Sequence, residues 1–307
     1  MAALLSTAAF VISSMPAELT AAVSSIDWSD LYLEEGSYTL GTSFSDDAVE
    51  INDVTFPDPT FRSYVSENFD TDKSGGLSET EIYLATNVFI AGTLDNRGSI
   101  SSLAGIEYLT NLQYLYCNCN QISSLDLSQN TALTYLDCSF NKLTVLDLSE
   151  NTALTSINCD NNQLSNLDIS RSTALTYLSC NENKLTTLDV RRNTALTSLY
   201  CYNNQLSSLD LSNNTALTSI NCGSNQLTSL DISRNTALIV LSCSENKLTT
   251  LDVSRNTALT ELYCLNNQLA YLDLSCNKDS NALTLAAFNN IYPIGNVIDS
   301  YSLKDLP

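Results

Sequence analysis

Twelve residues near the front of the chain have the types and spacing to hold a divalent cation. In DTDKSGGLSETE, oxygen-bearing side chains stand at the first, third, fifth, ninth and twelfth places: Asp70, Asp72, Ser74, Ser78 and Glu81. Gly75 sits where the loop must turn sharply, and Gly76 offers a backbone carbonyl at the seventh place. This is the ligand order of an EF-hand loop with a two-oxygen glutamate at its end, a donor set suited to a hard cation such as Ca²⁺. The expected metal ligands are Asp70, Asp72, Ser74, Gly76, Ser78 and Glu81, and the expected cofactor is one Ca²⁺ bound with extracellular-range affinity, stiffening a cap.

Most catalytic chemistry is excluded at the same stage. Histidine is absent from all 307 residues, which removes the usual general base, the commonest metal ligand and every Ser-His or Cys-His nucleophile pair. A glycosidase pair such as Asp137 and Asp160 would lie exposed on a repeat ladder, without the pocket that separates the pKa values of two catalytic carboxyls. With 34 acidic against 13 basic residues and a net charge of -21, the chain repels phosphate backbones and anionic bilayers, so no nucleic-acid partner is expected. No stretch beyond the N-terminus is long and apolar enough to span a bilayer, and membrane insertion is not expected.

The elements that must position any site come from a period of 21 residues that starts at Leu112, with the template LxxLxCxxNxLxxLDxSxNTA. Leucine opens each of eight units, at Leu112, Leu133, Leu154, Leu175, Leu196, Leu217, Leu238 and Leu259. Alternation in LxxLxC reads as a short strand with one buried face, and the later leucines bury a second side of the coil. No unit closes a core alone; stacked units give a parallel ladder at ~4.8 Å per coil. So short a unit leaves the return side extended or 3₁₀. The asparagines at Asn120, Asn141, Asn162, Asn183, Asn204, Asn225, Asn246 and Asn267 are placed to satisfy backbone groups of their own and adjacent coils. A second row, Asn130, Asn151, Asn193, Asn214, Asn235, Asn256 and Asn277, is interrupted by Ser172. The aspartates of LDxS, Asp126 to Asp273, are expected to accept from turn N–H groups, with Arg171, Arg192, Arg234 and Arg255 neutralising part of the row.

The ten cysteines do not read as a disulfide framework. Cys117, Cys138, Cys159, Cys180, Cys201, Cys222, Cys243 and Cys264 recur in step with the repeat, so their Cβ atoms stack about one strand spacing apart, wider than a disulfide tolerates. They are expected to be free, buried and inert. Cys119 and Cys276 fall outside the ladder and are expected to be exposed and reactive.

These rows, as in LTYLDCSFNKLTVLDLSENTA from Leu133 to Ala153, resemble the internalins, bacterial leucine-rich-repeat surface adhesins, and among them the subgroup with 21-residue repeats and a cysteine ladder. The resemblance implies a secreted or cell-surface protein that binds host proteins or glycans through a concave face, without catalysis in the repeats and with attachment or effector domains downstream. It also implies that the cap can be a degenerate EF-hand that needs no ion. The expected fold is an α/β repeat: a right-handed leucine-rich-repeat solenoid with a parallel concave β-sheet, a short 3₁₀ or extended convex side, and a helical EF-hand-like N-terminal cap.

The expected organisation follows. Residues 1–25 read as a secretory signal without its basic start, the competing reading being a buried or disordered tail. Residues 26–57 read as an acidic linker or a partly ordered segment. Residues 58–111 hold the cap, with a helix starting at Asp58-Pro59 and Phe61, Val65 and Phe69 on one face, and a first irregular repeat. Residues 112–280 hold the eight repeats, and 281–307 a C-terminal cap or the start of another domain.

On the exposed strand positions the expected ligand-binding residues are Tyr114, Tyr116, Tyr135, Asp137, Phe140, Tyr177, Tyr200, Tyr202 and Tyr263, interleaved with Asn158, Asp160, Glu182, Asn203, Glu261 and Leu265. Tyrosine on a rigid sheet makes a low-entropy contact to proteins and to sugar rings, though solvent-facing strand positions also favour aromatic residues for cross-strand packing alone. Tyr200 and Tyr202 form the densest central pair. The expected function is a non-enzymatic adhesion or recognition module, monomeric, whose partner is a host or neighbouring-cell surface protein or glycan. The alternative is a non-catalytic targeting segment of a larger secreted enzyme.

Overall fold

The computed structural model describes residues 49–93, 98–270 and 272–277, and the backbone of 284–286. The expected signal, most of the acidic linker and the tail beyond the last strand lie outside the described residues.

Ten strands form one parallel sheet in unbroken sequence order. They are β3 (Asn87–Phe89), β4 (Tyr114–Tyr116), β5 (Tyr135–Asp137), β6 (Ser156–Asn158), β7 (Tyr177–Ser179), β8 (Ser198–Tyr200), β9 (Ser219–Asn221), β10 (Val240–Ser242), β11 (Glu261–Tyr263) and β12 (Thr284–Ala286). From β4 to β11 the register advances by one repeat per strand, so Leu115 pairs with Leu136, Leu136 with Ile157 and Ile157 with Leu178. Each central residue is buried and its neighbours face outward, the alternation that the spacing predicts. The buried leucines, cysteines and branched residues of all coils make one continuous core that also takes in Phe56, Phe61, Val65 and Leu77 from the cap. On the return side each coil runs extended into two successive tight turns, as where the Asn151 N–H donates to the Leu148 carbonyl at 3.1 Å and the Leu154 N–H to the Asn151 carbonyl at 3.2 Å, and one turn of 3₁₀ helix stands at Ile106–Tyr108 and another at Ser275–Asn277.

The asparagine of each coil is what lets so short a unit close. The Asn183 amide nitrogen donates to the carbonyls of Cys159 in the preceding coil at 3.0 Å and Cys180 in its own at 3.2 Å. Its oxygen accepts from the Leu164 N–H of the preceding coil at 3.0 Å. The residue just before it bends the chain through the left-handed region, at φ between 49° and 56° from Cys119 to Asn266, although Phe140 and Glu182 have no intrinsic taste for it. The amide's bonds hold that turn in place. The second row only donates: Asn151 gives its amide hydrogens to the Leu127 and Asn130 carbonyls at 3.0 and 2.9 Å, while its oxygen is buried without a hydrogen-bond partner. Ser172 interrupts it, with its hydroxyl buried and without a hydrogen-bond partner.

The eight ladder cysteines are free and buried, and burial pushes the Cys222 thiol up to about 12. Cys276 is exposed as expected, but Cys119 is not: only 4 % of it meets solvent. Gly92 and Gly98 both bond alongside it, Gly98 donating to the Cys119 carbonyl at 2.8 Å, so the segment after β3 covers a position that is open in later coils. Gly92 must be glycine there, since a Cβ would lie 2.1 Å from that carbonyl oxygen.

The first coil is sealed by two short helices, α1 (Pro59–Asn68) and α2 (Glu79–Leu84), with a two-stranded antiparallel pair, β1 (Val49–Glu50) and β2 (Gly76–Leu77). Residues 49–57 therefore belong to the cap, and the linker expected over 26–57 is corrected at that end: Val49 pairs with Leu77, and Phe56 is fully buried edge-on to Phe61. One carboxylate ties helix to repeat. Asp58 caps α1 through Oδ1, accepting from Thr60 and Phe61, while Oδ2 accepts from the Ser101 N–H at 2.9 Å. Glu81 closes a capping box on α2 with Ser78 and accepts from the Thr71 N–H and hydroxyl at 2.6 and 2.7 Å.

Two predictions follow from these bonds. Asn183→Leu strands buried backbone groups on two coils and is expected to lower the unfolding free energy by about 3 kcal/mol, whereas Ser172→Asn restores the missing rung and is expected to add about 1 kcal/mol; urea titrations measure both. In the cap, burial alone would raise the Asp58 and Glu81 carboxyls, but the bonds they accept outweigh it and bring both below their ordinary 3.8 and 4.5, Glu81 to about 2. A pKa lowered on folding stabilises in full above the unfolded value and is lost as pH falls through the folded one. Thermal melts from pH 6 to 2 are expected to show Glu81→Gln with a lower melting point at pH 6 and a shallower acid decline than the parent.

Candidate functional site

The sheet leaves one face open, built from the third and fifth residues of each coil and, past the buried cysteine, the seventh and eighth. Tyr114, Tyr177 and Tyr202 are exposed there, and Tyr116, Tyr135, Tyr200, Tyr263, Phe140 and Asp137 are half-buried. The repeat register decides which of them meet. Tyr116 stacks on Tyr135 with centroids 4.5 Å apart, and Tyr114 stacks on Tyr135 at 6.4 Å. Phe89 of β3 stacks on the other side of Tyr116 at 5.0 Å. Further along, Tyr177 leans on Tyr200 at 5.6 Å, and the Tyr200 hydroxyl lies 3.1 Å from that of Ser219.

The densest aromatic group is thus at the capped end, with Phe89, Tyr114, Tyr116 and Tyr135, and not at the central pair Tyr200 and Tyr202. Phe89 escapes a period search because it pairs with Tyr116 across an irregular first coil, 27 residues on instead of 21. The one signal for it in the sequence is that Val88 and Ile90 flank it as buried residues flank an outward one. Tyr263 stands apart and donates to Glu261 at 3.0 Å, a bond that raises its phenol pKa. Phe140, Glu182 and Asn203 occupy the left-handed turn after the strand.

Acids share this face. Asp137 accepts from the Ser139 N–H and hydroxyl at 3.0 and 2.7 Å. Asp160 accepts from the Ser179 hydroxyl at 2.7 Å and from the Asn181 N–H at 2.6 Å. Burial still leaves its carboxyl above the ordinary value, helped by the charge of Asp137. Tyr135 is pushed up to about 12 by burial, then by Asp137 and Tyr116. Burial likewise raises Tyr177, with the charges of Asp160 and Asp137 adding to it. From Tyr114 to Asn266 no lysine or arginine occupies any of the four outward positions of a coil.

The lateral aspartate row does what its turns require. Each carboxylate accepts from the N–H two residues on, from Asp126 with Ser128 at 3.0 Å to Asp273 with Ser275 at 2.8 Å. As expected, the charges of Arg192, Arg234 and Arg255 offset part of the row, adding to the hydrogen bonds that lower Asp189, Asp231 and Asp252. Arg171 bridges to Glu150 at 3.3 Å instead of Asp168, and Asp189 is held by Arg191 at 2.7 Å, with Arg192 contributing at longer range. Equivalent positions of adjacent coils lie side by side, so an arginine reaches the preceding coil's side chain as readily as its own.

In the cap, carboxyl oxygens of Asp70, Asp72 and Glu81 lie within 4.8 Å of one another. Asp70 and Asp72 each accept from the Ser74 N–H at 3.0 Å, and Asp70 also takes the Gly75 N–H at 3.1 Å. Gly75, at φ 86°, makes the turn. The Ser74 hydroxyl points at the Gly76 carbonyl, 3.2 Å away, while the Ser78 hydroxyl is engaged with Glu81. The oxygens form a hard donor set of the kind a Ca²⁺ ion takes. Lys73 is directed away, to the Ser66 carbonyl.

No family model matches the chain. Over 76 residues it is 42% identical to Internalin J of Listeria monocytogenes serotype 4b (strain F2365), a stretch that covers 25% of this chain and 8% of Internalin J. Among solved structures it is similar to the functional domain of InlJ from Listeria monocytogenes, which includes a cysteine ladder, at 36% identity and a TM-score of 0.47 over 75% of this chain and 59% of that one. It is also similar to a leucine-rich-repeat protein of Leptospira interrogans, at 25% identity and a TM-score of 0.61 over 74% of this chain and 59% of the other. The chain thus spans less than two thirds of each of these relatives, 8% of Internalin J and 59% of the other two. Stacked parallel coils and a buried cysteine in each repeat show a leucine-rich-repeat solenoid, and the matched stretch makes it similar to the internalins in sequence.

Proposed function

We propose that the chain is a non-enzymatic recognition module, exported or carried on a cell surface, that holds a protein or glycan of a host or neighbouring cell against the open face of its sheet. The observation that carries this reading is the set of outward tyrosines on a backbone bonded coil to coil. Such side chains lose little entropy on contact and place large amphipathic area where a partner can reach it. Kinship with Internalin J supports the surface location, and no described helix is long and apolar enough to cross a membrane.

Catalysis finds no support in the residues. Histidine is missing, and Asp137 and Asp160 stand on an open sheet, oriented by Ser139, Ser179 and Asn181. Binding to immobilised glycans and cell-surface proteins tests the face. Tyr200→Ala with Tyr202→Ala, and Tyr116→Ala with Tyr135→Ala, are each expected to weaken the partner by at least tenfold, roughly 1.4 kcal/mol, while Asp210→Asn with Asp231→Asn on the lateral row leaves it unchanged. Undiminished affinity in both tyrosine pairs would overturn the assignment.

The cap, in this reading, takes one Ca²⁺ through Asp70, Asp72, Ser74, Gly76, Ser78 and Glu81. The ion would screen three converging carboxylates and stiffen the seal over the first coil. A single hand binds weakly, so 10 mM Ca²⁺ is expected to raise the melting point by about 3 °C and to appear in equilibrium dialysis at one ion per chain. Asp70→Asn with Asp72→Asn abolishes both effects. An unchanged melting point with no retained ion would leave the loop a structural turn alone.

A further inference from the structure

The register of β5, β6 and β7 creates a slot that no single repeat contains. Tyr135, Ser156 and Tyr177 lie opposite one another on consecutive strands, so two phenol rings flank a serine. Their strands are two spacings apart, so the two side chains are rooted roughly 9.6 Å from one another. Both walls are buttressed from behind, Tyr135 by Tyr116 at 4.5 Å and Tyr177 by Tyr200 at 5.6 Å. Asp137 stands beside the first wall, and Asp160 lies beyond Asn158 on the floor strand. The charge of Asp137 reaches Asp160 and both phenols, and that of Asp160 reaches Tyr177.

We propose that this slot receives the guanidinium of an arginine side chain on a protein partner, sandwiched between Tyr135 and Tyr177 and paired with Asp137 and Asp160. The inference rests on the open face being the binding face and names the chemistry of what binds there. Aromatic faces attract cations, and a guanidinium adds a planar shape and weak hydration that an ammonium lacks. Charge complementarity points the same way. The outward positions of the repeats carry Asp137, Asp160, Glu182, Glu245 and Glu261 and no base, while Arg171 and Arg191 are committed to Glu150 and Asp189 on another side of the coil. Asp137 and Asp160 repel one another across this slot, and a bound cation relieves that repulsion.

The test uses the full chain and three eight-residue peptides in which glycine alternates with arginine, lysine or citrulline, the last being shaped like arginine but uncharged. Calorimetry is expected to rank arginine over lysine by several-fold and over citrulline by at least tenfold. Ser156→Leu fills the slot without touching an acid and is expected to cost at least tenfold, as are Asp137→Asn with Asp160→Asn. Tyr135→Phe with Tyr177→Phe keeps the walls and retains binding, and Asp210→Asn with Asp231→Asn stays within twofold. Circular dichroism melts confirm that each variant is folded. The proposal is overturned if the arginine peptide does not bind, if citrulline binds as well, or if the lateral variant loses as much as the slot variants. If the peptides fail while the tyrosine variants still lose a glycan or protein found by panel binding, only the arginine assignment falls. If no variant of the open face alters any partner, the wider reading falls with it.

Discussion

A primary amide bonded to two coils at once is the interaction on which the rest of the structure depends. A repeat of 21 residues has too little chain to pair all its backbone groups internally, and buried carbonyls without partners cost about 1–3 kcal/mol each. Asn183 and its equivalents answer four of these groups with one side chain, three carbonyls and one N–H, and two of the four belong to the preceding coil. Because the donor and the acceptor of the amide face opposite needs, neither a hydroxyl nor a carboxylate can take its place.

The same bonds explain two features that local preference would not produce. The residue before each asparagine adopts a left-handed conformation even when it is Phe140 or Glu182, since the amide fixes the backbone on one side and the sheet fixes it on the other. Cysteine follows from the same crowding: a small, weakly polar side chain fits beside stacked carbonyls where leucine would be too large. Burial then makes these thiols poor nucleophiles, so a row of reactive atoms is chemically quiet.

The repeated part of the molecule was legible because period and spacing carry it. The leucine, cysteine and asparagine rows placed every strand from β4 to β11 and its buried residue. What escaped lies where the period breaks. Cys119 looked exposed by analogy with later coils, yet the segment after β3 covers it, and no repeat template describes that segment. Val49 to Phe56 looked like linker because two-residue strand pairing leaves no periodic trace. Within the face, composition showed tyrosines and acids, but only the register showed that Tyr135 and Tyr177 share a serine between them, and only the coordinates showed that Arg171 reaches across to Glu150 of the preceding coil.

Each coil touches little beyond the coils before and after it, so contacts propagate along the stack as links do along a chain. The Tyr135–Tyr177 recess draws on three adjacent links close to the sealed end. Units beyond β8 can therefore be gained, lost or exchanged by unequal recombination without disturbing it, and the span of the protein can evolve separately from the grip it exerts.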